Sequence, residues 1–478
     1  MIFMKVIKNY LYNVGYQVLA IIVPLITSAY VSRVLRPEGV GANSFTNSII
    51  QYFILFANMG IGYYGNRQIA YVRENRDQMS KTFWEIQIVK TIMTLYAFIA
   101  FEIFMIFYTR QPEYMWAQSL NLIAIAFDIS WFYEGIEDFK VTVLKNSLVK
   151  ILSMIAIFIF IKGPGDVTLY IVVLALSTLI GNLTLWPNIR HDLDKVSLKV
   201  LNPWLHFLPM FELFIPQIAT QVYVQLNKTM LGVMVNETAS GYYQYSDNLI
   251  KLILALVTAT GTVMLPHVAN AVSHGDMNKV NRMLYKSFDF VSSVSYPMMF
   301  GLAAISLTLA PKYYGAGYSP VGPAMMIESI IILIIAWSNV LGVQYLLPTH
   351  HQKQFTMSVT LGAIVNLFLN IPLIKLWGLN GAMWSTVFSE FSVTLYQMWA
   401  VRHMLNFKEL FADSWKYFVA GLVMFIPVFW MNTHLKNSWL IMGLEVLVGI
   451  VIYVGVLFIL RAKILQDAKE LIGDRFKK

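Results

Sequence analysis

Apolar runs of about 20 residues alternate along the chain with short polar segments, and a helical run of that length spans the hydrocarbon core of a bilayer. Fourteen such runs are legible, near 10–34, 41–65, 82–108, 114–134, 143–161, 167–187, 207–235, 242–267, 287–310, 324–347, 355–376, 380–401, 417–435 and 438–460. Within several runs the polar residues recur every three or four positions, so on a helix turning about 100° per residue they fall on one stripe. On the seventh run that stripe is Gln217, Gln221, Gln225, Lys228 and Gly232; on the eighth it is Gln244, Asp247, Asn248, Lys251, Thr258 and Thr262. Residues 236–241 are the expected turn between them. A lysine at bilayer depth costs roughly 2.5–3.5 kcal/mol to insert, which favours a wet cavity or a partner for each. Two polar stripes facing across a hairpin describe one wall of a water-filled pathway.

The pattern repeats. Asn13, Gln17, Pro24, Ser28 and Ser32 form a stripe on the first run, and the second run matches the eighth at a constant offset of 200: Ser44 with Gln244, Asn47 with Asp247, Ser48 with Asn248, Gln51 with Lys251, Asn58 with Thr258. Six spans separate the copies, so both have one orientation, a parallel repeat about an axis along the membrane normal. The expected fold is an all-α polytopic membrane protein of about 14 transmembrane helices in two six-helix lobes, with two extra helices. The first lobe takes residues 1–200 (spans 1–6) and the second 201–405 (spans 7–12), followed by spans 13 and 14 in 406–460. The tail, 461–478, places Ile464, Leu465, Ala468, Leu471, Ile472 and Phe476 on one face, as for an amphipathic helix on the inner leaflet.

Composition and charge fix the class and the orientation. The chain is 57% hydrophobic and 13% charged, with mean hydropathy +0.60, outside the range of soluble domains. Of its 35 lysines and arginines, 24 fall in loops on one side of the expected spans and 7 on the other, which places both termini in the cytoplasm. The net charge of +9 is therefore spread over many short loops that face membrane lipids, and forms no groove for nucleic acid. The absence of cysteine excludes disulfides and thiol chemistry. The first apolar run is too long for a cleavable signal peptide and lacks a small-residue cleavage site.

No phosphate-loop, zinc-protease or nucleophile-elbow motif is present, and no loop exceeds about 20 residues, so neither direct ATP drive nor an extramembrane catalytic domain is expected. Lys228 has no acid three or four positions away and is read as an anion ligand in a cavity. Lys251 has Asp247 one turn before it, so a local ion pair competes there with ligand contact. Lys90 and Asp128 lie at similar depth on adjacent antiparallel spans and are expected to form a structural ion pair. Glu102, Glu212, Glu328, Glu390 and Glu445 also lie at or near membrane depth; each either carries a coupling proton or bonds a backbone group or lysine, and the sequence does not rank them. Trp131, Tyr133, Tyr242, Tyr243, Tyr245, Tyr313, Tyr314 and Tyr318 are expected mostly as interfacial anchors. His350-His351 lacks carboxylate or cysteine neighbours, so no metal site is expected.

Two segments carry a family resemblance. Residues 23–41, VPLITSAYVSRVLRPEGVG, and 128–140, DISWFYEGIEDFK, resemble the signatures of Wzx-type polysaccharide flippases of the MOP superfamily. The superfamily also holds multidrug extruders and lipid II flippases, and the likeness in length and span count covers the whole chain. One departure is Arg36, where the family more often has glycine. The resemblance implies a non-enzymatic transporter that moves an undecaprenyl-diphosphate-linked oligosaccharide from the inner to the outer leaflet by alternating access, without a cofactor. Coupling to a proton or sodium gradient and contact with other polysaccharide-assembly proteins are open. Lys228 and Lys251 then offer cations to the diphosphate, while Asn13, Gln17, Ser28, Asn47, Gln51 and Asn58, with the glutamines of the second lobe, face sugar. Lipid II or teichoic-acid precursors are alternative cargoes. A small-cation exporter fits a cationic cavity poorly, and a glycan polymerase or ligase lacks its large external loop.

Overall fold

Fixed backbone polar groups must be satisfied within each segment in a bilayer, and this chain meets that demand with helices: among the described residues no strand occurs. The computed structural model describes residues 2–465 other than Asn437, and their side chains other than those of 2–18, 20, 139, 215, 216, 219, 220, 262, 263 and 266. The expected amphipathic tail from residue 466 onward, and the side chains of Asn13, Gln17 and Thr262, lie outside the described residues.

The helices are α1 (Ile2–Asn58), α2 (Ile61–Val72), α3 (Arg76–Phe107), α4 (Pro112–Ala126), α5 (Ser130–Gly135), α6 (Phe139–Phe160), α7 (Val167–Leu183), α8 (Ile189–Asp192) and α9 (Trp204–Met234). They continue as α10 (Glu237–Ser273), α11 (Met277–Tyr314), α12 (Val321–Glu328), α13 (Ile330–Ser338), α14 (Gln352–Val401), α15 (Phe407–Leu410), α16 (Ser414–His434) and α17 (Trp439–Ile459). A π-helical stretch, Asn339–Leu346, follows α13 within the tenth expected span. Among the described residues seven helical stretches are long and apolar enough to cross a membrane, and α4 and α7, which coincide with expected spans, are shorter.

Two of the long helices are pairs joined across a break. Within α14, Gln397 Nε2 donates to Ser358 Oγ at 3.1 Å, Ser389 Oγ to the Gly362 carbonyl at 2.6 Å and Ser385 Oγ to the Asn366 carbonyl at 3.2 Å. One partner number rises as the other falls, so the two halves run antiparallel. The reversal is at Gly378 (φ 54°, ψ −124°), a conformation that a residue without Cβ adopts freely. In α1 the break is at Arg36 (φ 61°, ψ 173°), a region that is nearly glycine-only. Arg36 and Asn236 stand 200 positions apart, so the breaks before the second and eighth runs keep the offset of the repeat. Asn236 makes its break differently: its side chain caps α10 by accepting the Ala239 N–H at 2.8 Å. The expected turn over 236–241 is therefore corrected to a single cap, because Asn236 satisfies the orphan N–H that a longer loop would leave to water.

The chain divides into two compact units, 1–232 and 233–478, a boundary that falls after most of α9. In the first unit α1 packs on α3, α4 and α6, α4 on α7, and α2 on α5. Its core holds Phe83, Trp131, Phe132 and Tyr133, with the Phe83 and Trp131 rings stacked at 5.4 Å. The connection before α7 is closed by Asp166, whose carboxylate accepts the Lys162 and Gly163 N–H groups, each at 2.8 Å; those two donors hold it below the usual carboxylate range. In the second unit α11 packs against α10, α12, α13 and α16, and α16 against α17.

Candidate substrate-binding site

The stripe on α9 sinks into the first unit along its length. Gln221 is exposed and Gln217 half-buried, whereas Gln225 and Lys228 are 8% and 7% exposed. One turn separates Gln225 from Lys228, so both present the same face, and the Gln225 Oε1 is buried without a hydrogen-bond partner. The next residue, Thr229, fixes this part of α9 on α1: its hydroxyl meets Ser48 Oγ at 2.9 Å and Tyr52 Oη at 3.2 Å. The approach continues at Gly232, where a Cβ would overlap the Phe45 ring, and Arg110 donates to the Gly232 carbonyl at 3.4 Å. A buried cation beside an unpartnered carboxamide oxygen suits a ligand that brings both an anion and hydroxyl donors.

On α1, Asn47 is engaged otherwise than expected. Gln118 of α4, which the periodicity argument missed, accepts from Asn47 Nδ2 at 3.4 Å and from Asn121 Nδ2 at 2.9 Å, and donates to Asn43 Oδ1 at 3.2 Å and Thr46 Oγ1 at 3.3 Å. The carboxamide cluster ties α1 to α4; the available sequence signal was Gln118 and Asn121 at i,i+3 spacing in an otherwise apolar segment. Gln51 and Asn58 are half-buried, and Ser28 returns its hydroxyl to the Leu25 carbonyl at 3.3 Å.

Lys90 and Asp128 do meet, and the direct hydrogen bond is to the backbone carbonyl of Asp128 rather than to its carboxylate. Lys90, 1% exposed, donates its Nζ to the Asp128 backbone carbonyl at 2.5 Å. The Asp128 carboxylate accepts the Ser130 N–H at 3.0 Å and the Ser130 hydroxyl at 2.6 Å, and lies 3.6 Å from Lys145 Nζ. An aspartate two residues before a serine closes an Asx turn, which ends α4, starts α5 and uses the carboxylate locally. That leaves the main-chain oxygen for Lys90. The aromatic residues after it are also not at an interface: Trp131 and Tyr133 are buried, and Tyr133 donates to the Leu185 carbonyl at 2.8 Å. Tyr243, Tyr245, Tyr314 and Tyr318 are likewise buried in the second unit, with Tyr245 stacked on Tyr314 at 4.3 Å, so the anchor expectation is corrected for them; burial and ring packing outweigh interfacial placement.

A further buried group was missed entirely. Tyr64 of α2 meets His206 Nδ1 of α9 at 2.8 Å, His206 Nε2 meets Glu85 of α3 at 2.9 Å, and Glu85 also accepts the Asn202 N–H at 2.7 Å. The three residues lie far apart in sequence, which hides them from any local pattern.

In the second unit Lys251 donates to Asp247 at 2.6 Å, the i,i+4 pair anticipated from spacing. The two side chains differ in exposure, 51% for Lys251 and 9% for Asp247. Gln244 donates to Asn248 at 2.7 Å on the same face, and Ser246 donates to Glu328 of α12 at 2.5 Å.

Long apolar helices carrying buried polar stripes are those of a multi-pass membrane protein. Residues 6–272 match the family described as "Polysaccharide biosynthesis protein". The chain is 22% identical over 403 residues to a putative O-antigen transporter of Escherichia coli K12, covering 83% of this chain and 96% of the relative. Over 154 residues it is 22% identical to the lipid II flippase MurJ of Bacillus subtilis, which covers 32% of this chain and 28% of the relative. Its fold is similar to that of a lipid II flippase MurJ in an inward closed conformation (TM-score 0.80, 14% identity, 95% of this chain and all of that one). An inward-facing MATE multidrug transporter of the MOP superfamily is more distant (TM-score 0.61, 13% identity, 80% of this chain and 93% of that one). The chain belongs to the polysaccharide biosynthesis protein family.

Proposed function

We propose that the protein moves an undecaprenyl-diphosphate-linked oligosaccharide from the inner to the outer leaflet of the cell membrane, by alternating access between two six-helix lobes within fourteen spans. The observation that carries this reading is Lys228: a lysine 7% exposed, on a polar stripe, one turn from a buried carboxamide oxygen without a partner. A diphosphate needs a cation removed from bulk water, and the ammonium suits it as a point charge. The half-buried Gln217, Gln51 and Asn58 supply polar contacts of the kind sugar hydroxyls use. The polyprenyl tail stays in lipid. The names of the relatives, an O-antigen transporter and a lipid II flippase, support a lipid-linked saccharide as cargo.

Deleting the gene and analysing lipid-linked intermediates tests the reading. Loss of surface polymer with repeat units accumulating on the cytoplasmic side supports it; unchanged polymer with altered drug sensitivity overturns it in favour of an exporter. Both termini are placed in the cytoplasm, with residues 163–166 outside. Because the chain has no cysteine, single introduced cysteines report this cleanly. Labelling of position 75 by an impermeant reagent in intact cells would refute the orientation.

A further inference from the structure

Three carboxyl groups gather around one ammonium inside the second unit. Glu328, at the end of α12, is 0% exposed. Its Oε2 takes the Ser246 hydroxyl at 2.5 Å, and its Oε1 is buried without a hydrogen-bond partner. On α10 its charged neighbours are Asp247 and Lys251, and Lys251 in turn faces Glu390 of α14. From α11, Tyr314 gives its hydroxyl to the Tyr245 carbonyl, and α13 carries no titratable side chain. The ammonium is committed elsewhere, since Lys251 Nζ lies 2.6 Å from Asp247. One lysine thus pairs directly with one acid, and the hydrogen bond to Glu328 comes from the Ser246 hydroxyl.

An ionised carboxylate in that position forfeits its hydration without a compensating cation, whereas a neutral acid forfeits far less. The lowest-energy arrangement of a lysine among excess carboxyls at membrane depth includes a proton. A metal ion fits poorly: among the described residues no group of three or more histidine, cysteine, aspartate or glutamate side chains is placed to hold one.

We infer that the second unit binds an exchangeable proton at Glu328, governed by which acid Lys251 accompanies. While Lys251 is on Asp247, the proton sits on Glu328. When Lys251 turns to Glu328, that proton leaves to water, and it returns when the lysine comes back to Asp247. Lys251 is half exposed, and the Ser246 hydroxyl links Glu328 to α10. The step is a proton transfer to and from solvent, with no change of oxidation state. The inference is independent of which headgroup the transporter carries.

Infrared difference spectroscopy of the full-length protein in lipid nanodiscs tests it without any glycan. At neutral pH the wild type should show the carbonyl band of a protonated, water-excluded carboxyl, shifted by exchange into D2O. Glu328→Gln should abolish that band. Glu445→Gln should leave it, because Glu445 lies outside the cluster and accepts from Asn432 at 2.9 Å. Absence of the band from the wild type overturns the inference whatever the variants do, as does a band that survives Glu328→Gln. If Glu328→Gln does not fold, Glu328→Asp decides: the band must persist at a changed frequency, and an unchanged band assigns the proton to another residue.

Discussion

Lys228 on α9 and Lys251 on α10 hold the same kind of position in sequence, mid-stripe on consecutive long helices, yet their surroundings differ in kind. Lys228 is buried in the first unit one turn from Gln225, and the adjacent Thr229 meets Ser48 and Tyr52 of α1. Lys251 keeps half its side chain exposed and gives its charge to Asp247. Stripe spacing places both lysines on polar faces, and only Lys251 has an acid one turn earlier on its own helix. The proposed diphosphate site is at Lys228, and Lys251 is paired with Asp247.

Charge reversal breaks the comparison most severely. Lys228→Glu sets like charges together, worth several kcal/mol, and should lower polymer export beyond about hundredfold at constant protein amount, measured in a deletion strain. Lys251→Gln should cost no more than about fivefold in the same assay, because a half-exposed pair contributes about 1 kcal/mol or less. Equal losses for the two lysines would erase the distinction between the units.

A second contrast concerns acid–lysine pairs. Asp247 uses its carboxylate for Lys251, whereas Asp128 offers Lys90 its main-chain carbonyl. Lys90→Ala should therefore destabilise the protein by about 1.5–3 kcal/mol, the range for a charged hydrogen bond, and Asp128→Ala should leave that bond in place. In a thermal-unfolding cycle Asp128→Ala should couple to Lys90→Ala as well as to Lys145→Ala, because both ammonium groups act on its carboxylate. The smallest effect sharpens the contrast between the two repeat breaks: Asn236 is a satisfied cap and Arg36 is strained. Arg36→Gly should raise the melting temperature, gaining about 1 kcal/mol from relief of the positive φ.

The helical class, the Lys251–Asp247 pair and the offset between the two breaks were legible in the sequence because each depends on local period or spacing. Fourteen apolar runs could be marked by length, but residues 114–134 contain a stop at Asp128, whose turn is set by the Asp128–Ser130 bonding rather than by hydropathy. The buried tyrosines were misplaced because an aromatic residue near a span end has the same sequence signature whether it anchors the chain in headgroups or fills a core. The Tyr64–His206–Glu85 chain and the Gln118 cluster join helices distant in sequence, so a single sequence carries no period that reveals them. Arg36 was visible as a departure from a family glycine, and the positive φ supplies the reason glycine suits that position.

The most direct test of the central claim is export of polymer by cells whose only copy carries Lys228→Gln, normalised to protein detected in the membrane, with Lys228→Arg alongside. The account predicts near-normal protein, export lowered by more than about tenfold through loss of a charge-assisted contact worth about 1.5–3 kcal/mol, lipid-linked repeat units retained on the cytoplasmic side, and partial recovery with arginine, which keeps the charge but changes its shape. Full export by Lys228→Gln would contradict the assignment of the diphosphate to Lys228, and loss of the protein itself would make that lysine structural.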